Sequence, residues 1–128
     1  HLEDLLEPGE SIGVIGGPPC QGFSRANTGS AANDPRNRLP MLYLQIVEAI
    51  KGRYCVEFVL FENVLGIRDT KHSATFRGIL SKFREIGLIS DVSEYSALDY
   101  GVAQRRYRVI VSGFRDREVS RAFKPKRK

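Results

Sequence analysis

A cysteine directly follows two prolines in this chain, at the point where a short apolar run ends. The run covers residues 11–15, and the segment after it reads Gly16-Gly17-Pro18-Pro19-Cys20-Gln21-Gly22-Phe23-Ser24. The prolines fix φ and remove two backbone donors, so the turn that carries the thiol is stiff. The glycines allow another molecule to approach the backbone closely. This pattern is typical of an exposed nucleophile, and the alternative is a Gly/Pro turn with an incidental cysteine.

The order of apolar patterns predicts an open α/β sheet. Continuous apolar runs at 11–15 and 56–61 indicate buried strands, and a helical pattern between them makes these strands parallel. A second helix, an alternating segment at 90–98 and an apolar run at 109–111 follow, and a short link makes the last two an antiparallel hairpin. The residues at helical spacing are Leu39, Leu42, Tyr43, Ile46, Val47 and Ile50 before Gly52, and Phe76, Ile79, Leu80 and Phe83 before Gly87.

The positive charge of the chain is confined to its last residues. Between 115 and 128, seven Lys/Arg stand against Asp116 and Glu118, which accounts for the whole formal net charge of +5. We therefore divide the chain into a segment 1–114 and a basic tail 115–128. The tail either contacts phosphate groups or is a solvated linker. No stretch approaches the ~20 apolar residues of a membrane span, so no membrane association is predicted.

The cysteines give no indication of a metal site or of a disulfide framework. Cys20 and Cys55 are separated by 35 positions, without metal-ligand spacing, and a reducing compartment is the default for such a chain. Cys55 lies at the edge of the apolar run 56–61 and is interpreted as a structural residue.

Chemistry-bearing residues follow both predicted parallel strands. Cys20 follows the first strand, and Glu62 with Asn63 follows the second. Ligand sites of open α/β sheets lie at the carboxyl ends of the strands, so the thiol and the carboxylate are expected at one rim. The cluster Gln104-Arg105-Arg106-Tyr107-Arg108 leads into the last strand and is expected to face the same cleft. Taken singly, Glu62 is also compatible with a helix cap or a rim ion pair, and the arginines with a surface charge cluster.

A thiol, an acid and paired arginines suit nucleophilic attack on an electron-poor ring. The thiolate adds to a carbon, while the acid hydrogen-bonds a ring nitrogen and draws electron density from the point of attack. An arginine binds a ring carbonyl oxygen through its fixed donor fork. Pyrimidines fit this description, and the amino edge of cytosine offers a donor to a carboxylate such as that of Glu62.

These residues together resemble the DNA cytosine carbon-5 methyltransferase family. Pro18-Pro19-Cys20-Gln21 is similar to its catalytic cysteine motif, and Asp34, Arg36 and Leu39 match the short motif that follows. Glu62-Asn63-Val64 matches its glutamate motif. Gln104, Arg106 and Arg108 match its Gln-x-Arg-x-Arg motif. The four motifs stand in the family's order and span roughly residues 12–114.

The resemblance implies a role for each matching residue. Cys20 would attack carbon 6 of a cytosine, Glu62 would contact ring nitrogen 3 and the exocyclic amine, and Arg108 would hold the carbonyl oxygen with Arg106 in support. Further substrate contacts are expected from Pro19, Gln21, Ser24, Asn63 and Gln104. Pro19 and Leu39 match positions that touch the cofactor.

The resemblance also implies the cofactor, the partner and the fold. The cofactor would be S-adenosylmethionine, and the partner would be double-stranded DNA whose target base leaves the stack. The segment 24–38 resembles the family's mobile loop, which closes over that base. The implied fold is part of an S-adenosylmethionine-dependent, Rossmann-like sheet, mostly parallel with a C-terminal antiparallel hairpin. Restriction–modification in a bacterial cytoplasm, or nuclear methylation in a eukaryote, is the implied setting.

The chain also departs from the family pattern. The family's Phe-x-Gly-x-Gly strand–turn has no match before Ile12, and the target-recognition region would follow Phe114. We therefore expect 1–114 to be a catalytic segment that carries about half of the family's sheet, with an unpaired apolar edge at the first strand. Alone it is expected to be inactive and marginally stable. The remainder would come from the same polypeptide or from a partner subunit.

Three other functions are compatible with part of the pattern. A non-catalytic, subunit-type DNA-binding module would keep the fold without turnover. Thymidylate synthase also adds a Pro-Cys thiol to a pyrimidine, but the motifs at Glu62 and Gln104–Arg108 disfavour it. A redox protein would use Cys20 with a nearby resolving cysteine, which the sequence does not offer.

Overall fold

A four-stranded sheet with helices on both faces forms the framework. The computed structural model describes residues 2–19, 22–23 and 38–123. In chain order its elements are β1 (Ser11–Gly16), α1 (Leu39–Lys51), β2 (Cys55–Asn63), α2 (Ser73–Glu85), β3 (Ile89–Ser96), β4 (Tyr107–Phe114) and α3 (Arg117–Ala122). Short 3₁₀ turns, among them Leu65–Arg68 and Thr70–His72, connect β2 to α2. The α/β class predicted from the sequence is confirmed.

The strand order is β1-β2-β4-β3, with β1 and β3 at the edges of the described sheet. β1 and β2 are parallel, whereas β4 runs antiparallel to both β2 and β3. The predicted parallel pair and the predicted hairpin are therefore both present. The β1–β2 register shifts by one residue between Ile12 and Gly13, because Glu57 is an extra residue in β2. Beyond this bulge Gly16 lies opposite Phe61.

Helix α1 is present as the helical spacing predicts, and the structure shows which of its apolar residues are buried. Leu44 and Val47 are fully buried, whereas Leu42 and Ile46 are 50% and 52% exposed. The spacing by itself did not specify which apolar residues face the sheet. The helix is apolar around more of its circumference than β1 and β2 cover, so one apolar stripe faces outward.

A tyrosine of α1 joins the two parallel strands. The Tyr43 hydroxyl donates to the carbonyl oxygen of Leu60 at 3.2 Å and lies 3.4 Å from that of Val14. Burial raises the pKa of Tyr43 to about 12, so the hydroxyl stays a donor at all physiological pH values. A side chain at Gly16 would overlap the Tyr43 ring, so a glycine is needed for this close approach.

Helices α1 and α2 pack together on one face of the sheet, and α3 lies against β3 and β4. The predicted α2 residues Ile79 and Phe83 are fully buried. The core comprises Phe23, Leu44, Val47, Val56, Val59, Phe61, Ile67, Ile79, Phe83, Ile86, Leu88, Val109 and Val111.

Helix α3 begins within the basic segment 115–128, where Asp116 caps it by accepting from the backbone N–H groups of Glu118 and Val119. Among the described helices, none is long and apolar enough to cross a bilayer.

Candidate active site at the carboxyl rim of the sheet

The strand directions bring the end of β2 next to the start of β4. Asn63, the last residue of β2, pairs with Val109, so Arg108 near the start of β4 lies close to Glu62 near the end of β2. β1 ends at the same rim because it is parallel to β2. Because β4 runs antiparallel to β2, the segment that leads into β4 lies beside the ends of β1 and β2. This is the physical reason that residues 46 positions apart share one edge of the sheet.

Glu62 and Arg108 form the centre of this rim. The Arg108 Nε lies 2.7 Å from the Glu62 Oε1, and the Arg106 Nη2 lies 3.9 Å from the same oxygen. The side chains of Glu62 and Arg108 are 40% and 25% exposed, so both are accessible to a ligand. Arg108 also donates from Nη1 to the carbonyl oxygen of Tyr107 at 2.8 Å. One donor edge of the guanidinium therefore orients the carboxylate, and backbone contact orients the guanidinium.

The turn after β1 approaches this carboxylate closely. A Cβ placed on Gly17 would lie 2.8 Å from the Glu62 Oε2, which is shorter than any ordinary carbon contact. A glycine at this position leaves room for the carboxylate beside the backbone of the turn. Glu62 is thus held between the β1 turn and the arginines of β4.

Asn63 anchors the turn after β1 through a side-chain hydrogen bond. It is 1% exposed, its Nδ2 donates to the carbonyl oxygen of Pro18 at 3.4 Å, and its Oδ1 accepts from the backbone N–H of Val64 at 2.9 Å. Both ends of the amide are therefore used within the protein. The family resemblance implies a substrate contact for Asn63, whereas the structure shows its amide turned toward the β1 turn.

The remaining predicted residues fall into two groups. Gln104 and Pro19 are exposed, and Leu39 is half-buried at the first position of α1. Cys20, Gln21 and Ser24 lie outside the described residues, as do Asp34 and Arg36. Before Cys20, the chain is anchored by the hydrogen bond from Asn63 to the Pro18 carbonyl. After Cys20, it is anchored by Phe23, which is 1% exposed.

Leu39 and Pro19 are the described residues that the family resemblance places against S-adenosylmethionine, so their surroundings show whether the cofactor would fit. Leu39 precedes Tyr43 by one helical turn on the same helix face, so it lies at the carboxyl end of β1. Half-exposed aliphatic and prolyl side chains fit the flat, largely apolar parts of an adenosyl group. The described residues therefore fit one wall of such a site. Among them, no group of three or more His, Cys, Asp or Glu is placed to hold a metal ion.

Two features of the rim were not predicted. His72 is 1% exposed behind the rim, and burial lowers its pKa, with further lowering by the charge of Lys71 and an opposing effect of Asp69. Its ring packs against Phe23 with centroids 4.8 Å apart. A histidine in a polar stretch between Leu65–Arg68 and α2 gives no periodic signal, so the sequence does not mark it as buried. The second feature is the Gly17 approach, which depends on the register of β1 and β2.

Cys55 lies at the opposite end of β2 from this rim. It is half-buried, its thiol donates to the Glu57 Oε1 at 3.2 Å, and Arg115 also contacts its sulfur. Its surroundings are thus partly polar, in contrast to the buried structural role interpreted from the sequence.

Comparison with known proteins identifies similar chains. Residues 7–128 match a family model described as C-5 cytosine-specific DNA methylase. The Type II methyltransferase M.FnuDI of Fusobacterium nucleatum is 40% identical over 106 residues, which cover 83% of this chain and 30% of that protein. The Type II methyltransferase M.NgoPII of Neisseria gonorrhoeae is 37% identical over 117 residues, which cover 91% of this chain and 33% of that protein.

A solved structure shows the same arrangement of elements. A candidate DNA modification methyltransferase encoded within an Escherichia coli prophage superimposes with a TM-score of 0.66 at 31% identity, over 89% of this chain and 30% of that one. The chain thus spans about a third of the length of the relatives it matches.

Proposed function

Because the chain belongs to the C-5 cytosine-specific DNA methylase family, we propose that it carries the catalytic segment for methyl transfer from S-adenosylmethionine to carbon 5 of cytosine in DNA. The observation that supports this most directly is the 2.7 Å pairing of Glu62 with Arg108, beside the backbone of Gly17. The M.FnuDI and M.NgoPII relatives are named Type II methyltransferases, so a role in restriction–modification in a bacterial cytoplasm is part of the proposal.

In this proposal Cys20 is the nucleophile. Its thiolate sulfur forms a bond to carbon 6 of the base, and the electron pair of the 5,6 double bond moves to carbon 5. That electron pair would form the bond to the methyl group as the methyl–sulfonium bond of S-adenosylmethionine breaks and S-adenosylhomocysteine leaves, and the carbon 5 proton would then be lost to water. The 5,6 double bond then forms again and the sulfur leaves carbon 6, which returns the free thiolate.

Glu62 and Arg108 would hold the pyrimidine ring during these steps. The Glu62 carboxyl hydrogen-bonds ring nitrogen 3 and the exocyclic amine, which draws electron density away from carbon 6. Arg108 donates to the carbonyl oxygen at carbon 2, where charge accumulates after attack. Because Arg108 already contacts the Glu62 Oε1, the two groups are oriented before the base arrives.

The target base must leave the duplex to reach this rim. A side chain on a sheet rim cannot reach carbon 6 inside the base stack, so double-stranded DNA would bind with one cytosine rotated outward. Gln104 and Arg106, both exposed near the start of β4, are proposed to contact this nucleotide or its neighbours, together with Gln21 and Ser24.

S-adenosylmethionine supplies an electrophilic methyl group on a sulfonium centre. Leu39 and Pro19 would hold part of its adenosyl group at the carboxyl end of β1. Both side chains offer apolar surface at this end of the sheet. Neither can form an ion pair with Glu62.

A second candidate function follows from the extent of the chain. It spans about a third of the length of its relatives, and β1 is an edge of the described sheet. We propose that turnover requires the parts that the relatives have in addition, in the same polypeptide or as a subunit. Without them the chain would be an inactive DNA-binding module.

Covalent trapping tests the proposed chemistry. The chain replaces the matching 106 residues of M.FnuDI, and the hybrid is incubated with S-adenosylmethionine and a duplex containing 5-fluorocytosine at the target site. Fluorine at carbon 5 cannot leave as a proton does, so the adduct should persist on a denaturing gel. Cys20→Ser should abolish the adduct, whereas the matched variant Cys55→Ser should keep it. Trapping that survives Cys20→Ser would exclude Cys20 as the nucleophile.

A further inference from the structure

A buried pair of rings connects the segments that follow the two proposed catalytic motifs. Phe23 lies three residues after Cys20, and His72 lies ten residues after Glu62. Both residues are 1% exposed, and their ring centroids are 4.8 Å apart with an interplanar angle of 83°. One ring therefore presents its edge to the face of the other, which is a favourable aromatic geometry.

The His72 ring has a polar atom with no partner. Its Nε2 is buried, and among the described residues nothing hydrogen-bonds to it. A neutral imidazole can leave one nitrogen as an unused acceptor at moderate cost, but an imidazolium carries two N–H donors and a charge. Burying such a charge without a partner is far more costly. The site is therefore compatible with neutral His72 and poorly compatible with the cation.

Among the described residues, the charged groups that act on the His72 ring are Lys71 and Asp69, which lie on its own segment. Lys71 disfavours the cation and Asp69 favours it, and the apolar ring of Phe23 packs against the imidazole. Burial is the largest effect and lowers the pKa of His72 below its ordinary value of about 6.5. Burial and the charge of Lys71 thus favour the neutral ring, as the unpartnered nitrogen does, and only the smaller effect of Asp69 opposes them.

We propose that His72 is a positioning residue, whose neutral ring holds Phe23 in the core and whose protonation releases Phe23 from it. When the ring gains a proton it must reach water, and the aromatic contact is lost. Phe23 would then no longer fix the chain after the Pro18-Pro19-Cys20 turn. The consequence for methyl transfer rests on the proposed role of Cys20, whereas the proton-controlled contact between the two rings does not.

The direction of the pH effect follows from the lowered pKa. Between the folded and unfolded pKa values of His72, the unfolded chain binds more protons than the folded one. The stabilising contribution is therefore fully present above about pH 6.5, is lost as the pH falls toward the folded pKa, and is absent below it.

Nuclear magnetic resonance of the isotope-labelled 128-residue chain tests this directly. The His72 ring is titrated from about pH 7.5 to about pH 5.5 while the cross-relaxation between the Phe23 and His72 ring protons is recorded. We expect the ring contact at the higher pH, its loss on acidification, and a common midpoint below about 6.5 for contact and titration. His1→Phe, which removes the only other histidine of the chain, should leave the midpoint unchanged.

The variant His72→Phe keeps a ring and removes the titration. Docking of residue 23 in this variant should not depend on pH over the same range. A wild-type ring contact that persists through protonation of His72 would overturn the proposal, as would its absence at the higher pH in a folded chain. The two outcomes that would overturn the proposal are read from the wild-type chain and need no turnover. Failure of Cys20 trapping alongside a proton-controlled contact would instead reject only the proposed function.

Discussion

The Glu62–Arg108 ion pair is too exposed to contribute much to folding. Exposed pairs of this kind stabilise proteins by about 0–1 kcal/mol, since water screens both charges and the side chains lose freedom. With Glu62 40% exposed, the pair is better explained by what it does for a ligand. The same contacts that contribute little to stability keep an acceptor and a donor fork oriented at an accessible rim.

Replacing Glu62 by Gln should separate catalysis from binding. The amide keeps the size of the side chain but loses the carboxyl that the proposal needs at ring nitrogen 3. We expect the methyl-transfer rate of the M.FnuDI hybrid to fall by about 10²–10⁴-fold, with affinity for DNA changed only a few-fold. Single-turnover rates and equilibrium binding measure the two quantities.

The matched control lies on the same strand. Glu57→Gln alters a carboxylate of β2 that contacts Ser11 and Cys55, at the far end from the rim. It should leave the rate unchanged. Equal losses of rate and affinity in Glu62→Gln would mean that this residue only docks the DNA.

At the scale of elements, adding a methyl group at Gly78 or at Gly113 should change the free energy of unfolding in opposite directions. A Cβ on Gly78 in α2 would meet nothing within 4 Å, so Gly78→Ala should stabilise the chain by about 0.5–1 kcal/mol. A Cβ on Gly113 in β4 would overlap the Phe83 ring and lie 3.2 Å from the Leu88 Cβ. Gly113→Ala should therefore destabilise by about 1–3 kcal/mol.

Chemical denaturation of the chain measures both glycine variants. The two changes add the same methyl group, so their difference reports the packing between β4 and α2 rather than the substitution itself. Equal stability of Gly113→Ala and Gly78→Ala would contradict the close contact between the Phe83 ring and Gly113 of β4.

The elements themselves were largely predictable, and their faces were less so. Continuous apolar runs predicted β1 and β2, helical patterns predicted α1 and α2, and the crossover rule predicted the parallel pair. The orientation of α1 was not predictable, because Leu42 and Ile46 satisfy the helical spacing as well as Leu44 and Val47 do. Spacing measures amphipathicity, but the area available on the sheet decides which apolar stripe is covered.

The rim was predictable only in outline. Motif positions at strand ends placed Glu62 near Arg108 in principle, whereas the approach of Gly17 and the inward amide of Asn63 depend on register. Helix α3 was missed because six residues with several charges show no clear period. Its N-cap, Asp116 followed by Glu118, is the local signal that was available.

At the scale of the whole molecule, β1 is an edge strand of the described sheet that exposes a large apolar side chain. Ile15 is 72% exposed on this strand, and no further strand lies beside it among the described residues. Unpaired apolar edges invite pairing with another chain. We expect the isolated chain to self-associate as its concentration rises, and Ile15→Lys to reduce this association without lowering the melting temperature.

Sedimentation velocity over a concentration series measures this association. Ile89→Lys is the matched control, because Ile89 is 38% exposed on β3, the other edge strand. Its effect should be smaller. A similar loss of association in both variants would point to general charge repulsion rather than to β1 as the contact.

The extra residue in β2 sets which atoms meet at the far end of the sheet. Before the bulge Ser11 lies opposite Cys55, and beyond it Gly16 lies opposite Phe61, so the offset grows by one residue. Continued to the strand ends, this offset aligns Gly17 with Glu62 and Pro18 with Asn63. Deleting Gly13 from β1 would slide the proline turn by about 3.3 Å along its neighbour and set the Phe61 ring, instead of a carboxylate, opposite Gly17. A loss of the proposed activity on that deletion would therefore reflect misalignment, since every proposed catalytic side chain would still be in the sequence.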